Sequence, residues 1–175
     1  MTAVVHYSNP ANLAPLDAGL ISQAQKTLDF AAYSLTHEQV ITAIKERAAA
    51  GVAVRVYLDR SEVEAEARGN PAMPSCPLSQ LFNVAGIEIR VKRSMILMHL
   101  KSYCVDCATL RDGSANFSPQ GELEQDNSHQ TIQDPGQLAA FAAKFEAMWT
   151  RPDNLTVAQA VEHTPEPAGA ATHRR

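Results

Sequence analysis

Two short motifs near the middle of the chain carry residue types suited to phosphate chemistry. His99 and Lys101 stand in the stretch MHLKSYCVD, which has the pattern H-x-K-x4-D and ends at Asp106. After six further residues, the sequence GSAN runs from Gly113 to Asn116. An imidazole can attack phosphorus, a lysine can bind a phosphate, and neutral donors can hold its other oxygens. Together these residues predict a site that cleaves phosphodiester bonds.

Strand geometry predicts which of these side chains share a face. Side chains alternate along a strand, so we expect His99 and Lys101 to point to the same side. Ser114 and Asn116 would do the same on a returning strand, which lets the two strands direct four side chains to one point. Gly113 would allow the close backbone approach that an anion needs.

Asp106 has the opposite parity to Lys101 along the first of these strands. We therefore expect it on the other face or at the turn over residues 106–109. In either place it would orient the hairpin or a neighbour without touching the substrate.

The pair of motifs resembles the signature of the phospholipase D superfamily, and the chain is similar to the small bacterial single-motif endonucleases of that superfamily. The resemblance covers residues from about 3 to 149 and includes FAAYSLT at 30–36, AGVAVRV at 50–56 and GIEIR at 86–90. It implies an α/β fold in which a mixed central β-sheet is flanked by helices on both faces.

The resemblance also implies roles for the motif residues. His99, Lys101 and Asn116 would be catalytic, and Asp106 belongs to the same catalytic motif. Substrate would be bound by Ser114 and the backbone at Gly113. Catalysis would pass through a phosphohistidine and would need neither a cofactor nor a metal.

Members of this superfamily often carry an acidic residue or an Asp-Asn pair after GSxN that supports the catalytic histidine. In this chain the corresponding segment is QDNSH, over residues 125–129. The resemblance favours Asp126 with Asn127 for this role, and an offset of one or two residues would select His129.

The net charge of −4 is unusual for a protein that binds nucleic acid, because phosphate contacts depend on clustered Lys and Arg. Local charge is more informative, since five cations fall between residues 88 and 112. They are Arg90, Lys92, Arg93, Lys101 and Arg111. These cations either protect a solvated strand edge or line a substrate groove. Beside the motif we favour the groove, with Arg93 and Arg111 as substrate ligands.

Hydrophobic patterning predicts alternating strands and helices. The predicted strands are 3–7, 29–35, 52–58, 87–91 and 126–132, in addition to the motif hairpin. The predicted helices are 16–28, 37–50, 77–85 and 138–149. Charged and proline-rich residues over 60–76 predict a mobile loop with one helical turn.

With 175 residues, 45% of them hydrophobic, the chain has enough apolar material for one domain. We assign residues 1–150 to a phospholipase D-like phosphodiesterase domain and expect 151–175 to be a disordered tail. The motif occurs once, and larger relatives build one site from two copies. The resemblance therefore implies a homodimer with a composite active site.

A non-specific endonuclease acting on DNA or RNA is the favoured function. A lipid hydrolase of the same chemistry would need an apolar entry surface, for which the loop around 72–78 is the candidate. A non-catalytic nucleic-acid-binding module would retain the cations without the histidine and lysine, and both are present. The chain shows no apolar run of membrane-spanning length and no signal-peptide pattern, so we expect no stable membrane insertion. The default location is cytoplasmic, and export by another route or a removed signal stays an alternative.

Overall fold

The computed structural model describes residues 3–69 and 77–162, with the backbone alone for 67–69. Its centre is one seven-stranded sheet with the order β1-β7-β6-β5-β2-β3-β4. The strands are β1 (Val4–Tyr7), β2 (Thr27–Ala32), β3 (Ala53–Leu58), β4 (Ile87–Val91), β5 (Lys101–Val105), β6 (Thr109–Gly113) and β7 (Ser128–Ile132). The mixed sheet predicted from the sequence is confirmed.

The sheet changes from parallel to antiparallel at its centre. β2 pairs in parallel with β3 and antiparallel with β5, and β3 pairs in parallel with β4. β5, β6, β7 and β1 continue as antiparallel neighbours. The end of β2 therefore lies beside the start of β5, because Ala32 is opposite Lys101. This arrangement brings the segment after β2 to the first motif.

Within the described residues, five helices accompany the sheet: α1 (Ala14–Ile21), α2 (Glu38–Ala49), α3 (Arg60–Gly69), α4 (Pro135–Trp149) and α5 (Val157–Glu162). A 3-10 turn spans Pro77–Leu81 and a π-helical turn spans Gln120–Glu124. In the described part of the chain, no helix combines the length and apolar character needed to cross a bilayer.

Each face of the sheet has its own core, which confirms that helices flank both faces. On one face, Phe30, Tyr103 and Phe117 pack with α2 and their rings are in mutual contact. On the other face, α4 packs Phe145 and Trp149 against the sheet. The site residues of β5 and β6 are held between these two layers.

Two predicted elements near the site are wrong. The predicted helix 16–28 ends at Ile21, because Thr27 already begins β2 in the middle of the sheet. Within the predicted loop 60–76, residues Arg60–Gly69 form α3. The buried carboxylate of Asp59 starts that helix by accepting a hydrogen bond from the Ser61 backbone at 2.9 Å. Residues 70–76 lie outside the described part of the chain.

The C-terminal segment contributes to the fold beyond residue 150. Leu155 forms a bridge to Val91 at the end of β4, and Ala160 of α5 is buried in the core. The prediction of disorder from residue 151 is therefore wrong for this segment. Residues 163–175 lie outside the described part of the chain.

Candidate active site

His99 and Lys101 lie together at the end of the sheet where the central strand β5 begins. His99 is exposed and precedes the strand, whereas Lys101 is its first residue. Both contact Tyr33: the His99 and Tyr33 ring centroids are 4.6 Å apart, and Lys101 Nζ lies 5.0 Å from the centre of that ring. The Tyr33 backbone N–H donates to the Leu100 carbonyl at 2.9 Å, which fixes this arrangement. The predicted proximity of His99 and Lys101 is thus present without a regular strand at His99.

Lys101 is only 5% exposed. Its Nζ donates a hydrogen bond to the His99 carbonyl at 2.9 Å. Burial and the nearby Arg111 guanidinium lower the pKa of Lys101 to about 8, with Glu62 acting in the opposite direction. The amine therefore carries its charge at neutral pH without full hydration, as suits a ligand for a phosphate oxygen.

The backbone just before His99 is held by Asp59. The Met98 N–H donates to Asp59 Oδ2 at 2.6 Å, and this carboxylate is almost fully buried. Because Asp59 also starts α3, the same side chain links α3 to the first motif. Glu62 in the first turn of α3 lies near enough to Tyr33 that, after burial, it is the next cause of that phenol's raised pKa. No sequence motif marks Glu62 as part of the site.

The second motif forms a loop beyond β6, which ends at Gly113. A Cβ at Gly113 would lie 2.2 Å from the Ser128 carbonyl oxygen, so this position requires glycine. Ser114 is exposed; its hydroxyl donates to Asn127 Oδ1 at 2.9 Å and accepts from the Ser128 N–H at 3.0 Å. The predicted shared strand face of Ser114 and Asn116 is therefore replaced by a loop tied to β7.

Asn116 is half-buried at the end of this loop. Its Oδ1 is buried and has no hydrogen-bond partner among the described residues. The π-helical turn packs on its backbone, since a Cβ at Gly121 would lie 2.3 Å from the Asn116 carbonyl oxygen. The backbone of Asn116 is fixed by this packing, and its side-chain oxygen is not used by the fold.

Asp106 lies in the β5–β6 turn with a positive φ of 52°. Its carboxylate accepts three backbone hydrogen bonds, from Gln25 at 2.9 Å, Lys26 at 2.8 Å and Thr27 at 2.9 Å. Burial raises the pKa of Asp106, but these donors outweigh it and the pKa falls below its ordinary value. These contacts agree with the orienting role expected for Asp106. They give no support to grouping Asp106 with the catalytic residues.

Arg111 does not line a groove. It is fully buried, and its guanidinium pairs with Asp17 of α1 at 3.1 Å through both Nε and Nη2. Its assignment as a substrate ligand is therefore wrong, because a charge this deep cannot meet a substrate. Arg93 is exposed and remains a candidate substrate ligand.

The other predicted groove cations are engaged locally. Arg90 donates to the Trp149 carbonyl and stacks on that indole, and Lys92 donates to the carbonyls of Ile96 and Leu97. A continuous groove lined by all five cations does not form. The sequence could not show this, because local charge density contains no information on burial.

The three candidates for supporting His99 occupy different places. Asp126 is exposed and accepts from Asn9 at 3.3 Å, whereas Asn127 is tied to Ser114 and donates to the Gly121 carbonyl at 3.0 Å. His129 is buried, with Nε2 3.2 Å from Asp17 Oδ1. Among the described residues, Asn127 is the one of the three whose side chain hydrogen-bonds to a motif residue, whereas His129 pairs with Gly113 through the strand backbone.

Comparisons with known proteins show the family of the chain. Residues 18–149 match the family model described as cardiolipin synthase, PLD-like domain. The chain belongs to the phospholipase D superfamily. Over 129 residues it is 26% identical to a mitochondrial cardiolipin hydrolase from Chlamydomonas reinhardtii, covering 74% of this chain and 54% of that protein. The chain thus spans about half the length of this curated relative.

Two solved structures share the fold over nearly their whole length. One is a phospholipase D family member, Nuc from Salmonella typhimurium, with a TM-score of 0.72 and 23% identity, covering 88% of this chain and 97% of that one. The other is NucT from Helicobacter pylori, with a TM-score of 0.70 and 17% identity, covering 85% and 96%. The single-domain phospholipase D fold predicted from the sequence is confirmed.

Proposed function

We propose that this chain is a metal-independent phosphodiesterase that acts as a homodimer and cleaves nucleic acid with little sequence preference. The observation that carries the proposal is the exposed imidazole of His99 beside the desolvated amine of Lys101, both in contact with Tyr33. An accessible nucleophile next to a cation is what phosphoryl transfer requires.

The proposed reaction has two displacements. A nitrogen of His99 attacks phosphorus, a P–N bond forms, and the bond to the leaving oxygen breaks while a second imidazole protonates that oxygen. Water then attacks phosphorus, the second imidazole accepts its proton, and the P–N bond breaks to release a phosphate monoester. Lys101, Asn116 and Ser114 would hold the nonbridging oxygens through both steps.

The second imidazole is the reason for proposing a homodimer. His129 is buried against Asp17, and His37 caps α2 by accepting from the Gln39 N–H at 3.3 Å. A two-fold axis would bring the His99 of a second copy to the site, with the same surface used by both partners. The segment Met95–Leu97, whose residues are 65%, 78% and 50% exposed, would supply apolar area beside that axis.

Mixing experiments test the composite site. Light scattering should give about twice the 19.0 kDa mass of the chain. After subunit exchange, an equal mixture of wild type and His99→Ala should show about one quarter of the activity of wild type at the same total protein concentration. Only dimers with two intact copies turn over. Retention of about one half would indicate independent chains and would contradict the composite site.

The choice of nucleic acid rests on the motif's resemblance to small single-motif endonucleases. The two solved structures that share the fold over nearly their whole length are Nuc, a phospholipase D family member, and NucT. The exposed Arg93, which follows β4 and precedes the motif, offers a backbone phosphate contact. Contacts to phosphates carry no sequence information and weaken as salt rises. Cleavage should therefore be insensitive to sequence and inhibited by salt.

A lipid substrate is the second candidate, and the exposed Met95–Leu97 segment favours it. These side chains lie just before His99, where an interfacial enzyme would contact a membrane surface. The predicted apolar loop around 72–78 does not supply that surface in the described residues, since Leu78 is buried and 72–76 lie outside them. The curated relative is itself named a cardiolipin hydrolase.

One assay panel separates these functions. The purified protein is incubated in EDTA with labelled DNA, RNA, cardiolipin vesicles and phosphatidylcholine vesicles, alongside His99→Ala as control. We expect nucleic-acid cleavage by the wild type alone and an acid-labile, base-stable phosphohistidine on trapping. Lipid hydrolysis without nuclease activity would transfer the assignment to the second candidate. Activity that requires a divalent ion, or that survives in His99→Ala, would overturn the mechanism.

A further inference from the structure

The buried guanidinium of Arg111 contacts both motif segments. Its Nη1 donates to the Lys101 carbonyl at 2.6 Å, and Nη1 and Nη2 each lie 3.3 Å from the Ala115 carbonyl. Lys101 belongs to the first motif, and Ala115 separates Ser114 from Asn116 in the second. One side chain therefore bridges the backbones that carry the proposed phosphate ligands.

These contacts occur where the sheet itself cannot connect the two motifs. The β5–β6 ladder ends at the pair Tyr103 and Arg111, and Gly113 already pairs with His129 of β7. The Lys101 carbonyl thus lies beyond the last β5–β6 pair. The Arg111 side chain reaches it in place of a backbone partner.

The guanidinium is itself held on several sides. Asp17 accepts from Nε and Nη2, and the Tyr103 hydroxyl donates to the same carboxylate at 2.7 Å. The ring of Phe117 lies 4.4 Å from the guanidinium carbon. A planar group fixed at both edges and on one face has no freedom to rotate. Its two carbonyl contacts therefore have a fixed separation.

We propose that Arg111, anchored by Asp17, is a positioning residue that sets the separation of Lys101 and Asn116 by bridging their backbones. The inference rests on the proposed function, since it gives these two residues a shared substrate. A buried ion pair is not needed for stability, because well-packed apolar residues in the same place often give an equal or higher free energy of unfolding. Displacements of about 1 Å at a site can cost roughly a hundredfold in rate, so such a bridge has a catalytic consequence.

Two sets of variants separate the bridge from the charge. Arg111→Lys keeps a cation but loses the fork that reaches two carbonyls. Asp17→Leu with Arg111→Met removes the pair without leaving an unpaired charge. The matched control is Asp29→Leu with Arg55→Met, which removes a bidentate pair from the opposite face of the sheet.

Turnover of bis(4-nitrophenyl) phosphate should fall at least about tenfold in both Arg111 variants, with a smaller change in KM. Because the guanidinium lowers the pKa of Lys101, NMR of 13C-labelled lysine in the free protein should show Lys101 titrating at higher pH in the double variant. Arg111→Lys should leave that titration near the wild-type value. The control pair should change neither quantity.

A folded double variant with turnover within twofold of wild type and an unchanged Lys101 titration would overturn the proposal. If the double variant does not fold, Arg111→Lys tests the proposal. Full turnover in folded Arg111→Lys would also overturn it. If the wild type hydrolyses no phosphodiester, the proposed function fails. The bridge is then tested by amide exchange, which should accelerate at residues 101–103 and 115–117 in Arg111→Lys and stay unchanged in the control.

Discussion

The ring of Tyr33 lies against the imidazole of His99, with centroids 4.6 Å apart and planes inclined by 59°. The same ring lies 5.0 Å from Lys101 Nζ. One aromatic side chain thus contacts both the proposed nucleophile and the proposed phosphate ligand. The cation also gains from the ring's quadrupole.

Removal of this ring should impair turnover more than binding. We expect Tyr33→Ala to lower kcat by about tenfold or more, because His99 loses its lateral support. Tyr33→Phe keeps the ring and should stay within about threefold of wild type. Steady-state kinetics on a labelled oligonucleotide measure both, with melting curves to confirm folding. Equal losses in the two variants would assign the effect to the hydroxyl and contradict this explanation.

The lowered pKa of Lys101 predicts an alkaline limb in the pH profile. The amine loses its proton as the pH rises through about 8, so kcat/KM of the free enzyme should decline above that value. A lysine at its ordinary pKa would keep the rate level to about pH 10. Rates from pH 6 to 10 on a substrate that does not titrate give the limb. A flat profile to pH 10 would show that Lys101 is not the titrating ligand.

Asp106 should matter for stability and little for chemistry. Asp106→Ala removes the acceptor of three backbone hydrogen bonds, which we expect to cost about 2–4 kcal/mol of unfolding free energy. Asp134→Ala, which removes one cap bond from α4, is the matched control and should cost about 1 kcal/mol. Denaturant unfolding measures both.

The pKa of Asp106 gives a second signature. Because the pKa of Asp106 is lowered in the folded state, its carboxylate stabilises the fold at pH values above the unfolded pKa near 3.8. This stabilisation is lost as the pH falls through the lower folded pKa. Wild-type stability should thus fall more steeply in acid than that of Asp106→Ala. A kcat per folded Asp106→Ala molecule below about a tenth of wild type would restore a catalytic role.

Glu122 is fully buried beside the Asp17 and Arg111 pair. Burial and the Asp17 charge raise its pKa to about 9, with Arg111 acting in the opposite direction. The folded protein therefore holds this proton while the unfolded chain releases it near 4.5, so stability should decline as the pH rises from 4.5 to 9. Glu122→Gln should flatten that slope and raise unfolding free energy at pH 8 by on the order of 1–3 kcal/mol. A slope identical to that of wild type would contradict a neutral Glu122.

The sequence predicted much of the fold because its signals are local. Alternating apolar runs gave the strands of the central sheet, and helix signals gave α2 and α4. The spacing of His99 and Lys101 placed them together even though His99 precedes the strand. A motif of nearby residues needs no tertiary information to be recognised.

The misplaced residues depend on partners distant in sequence. Arg111 is paired with Asp17 at a separation of 94 residues, which no local pattern reveals. The first turn of α3 is capped by the buried Asp59, whereas composition alone indicated a loop. The exposure of Met95–Leu97 is likewise a tertiary property that the residue types do not reveal.

The central position of β2 has a consequence for synthesis on the ribosome. β2 is complete at Ala32, but its antiparallel partner β5 begins only at Lys101, and β7 follows at Ser128. A nascent chain can therefore form the parallel half of the sheet while the backbone groups of β2 that face β5 are still unpaired. The candidate active site should be among the last regions to form, and a chain halted before residue 132 should be inactive even if its first half has folded.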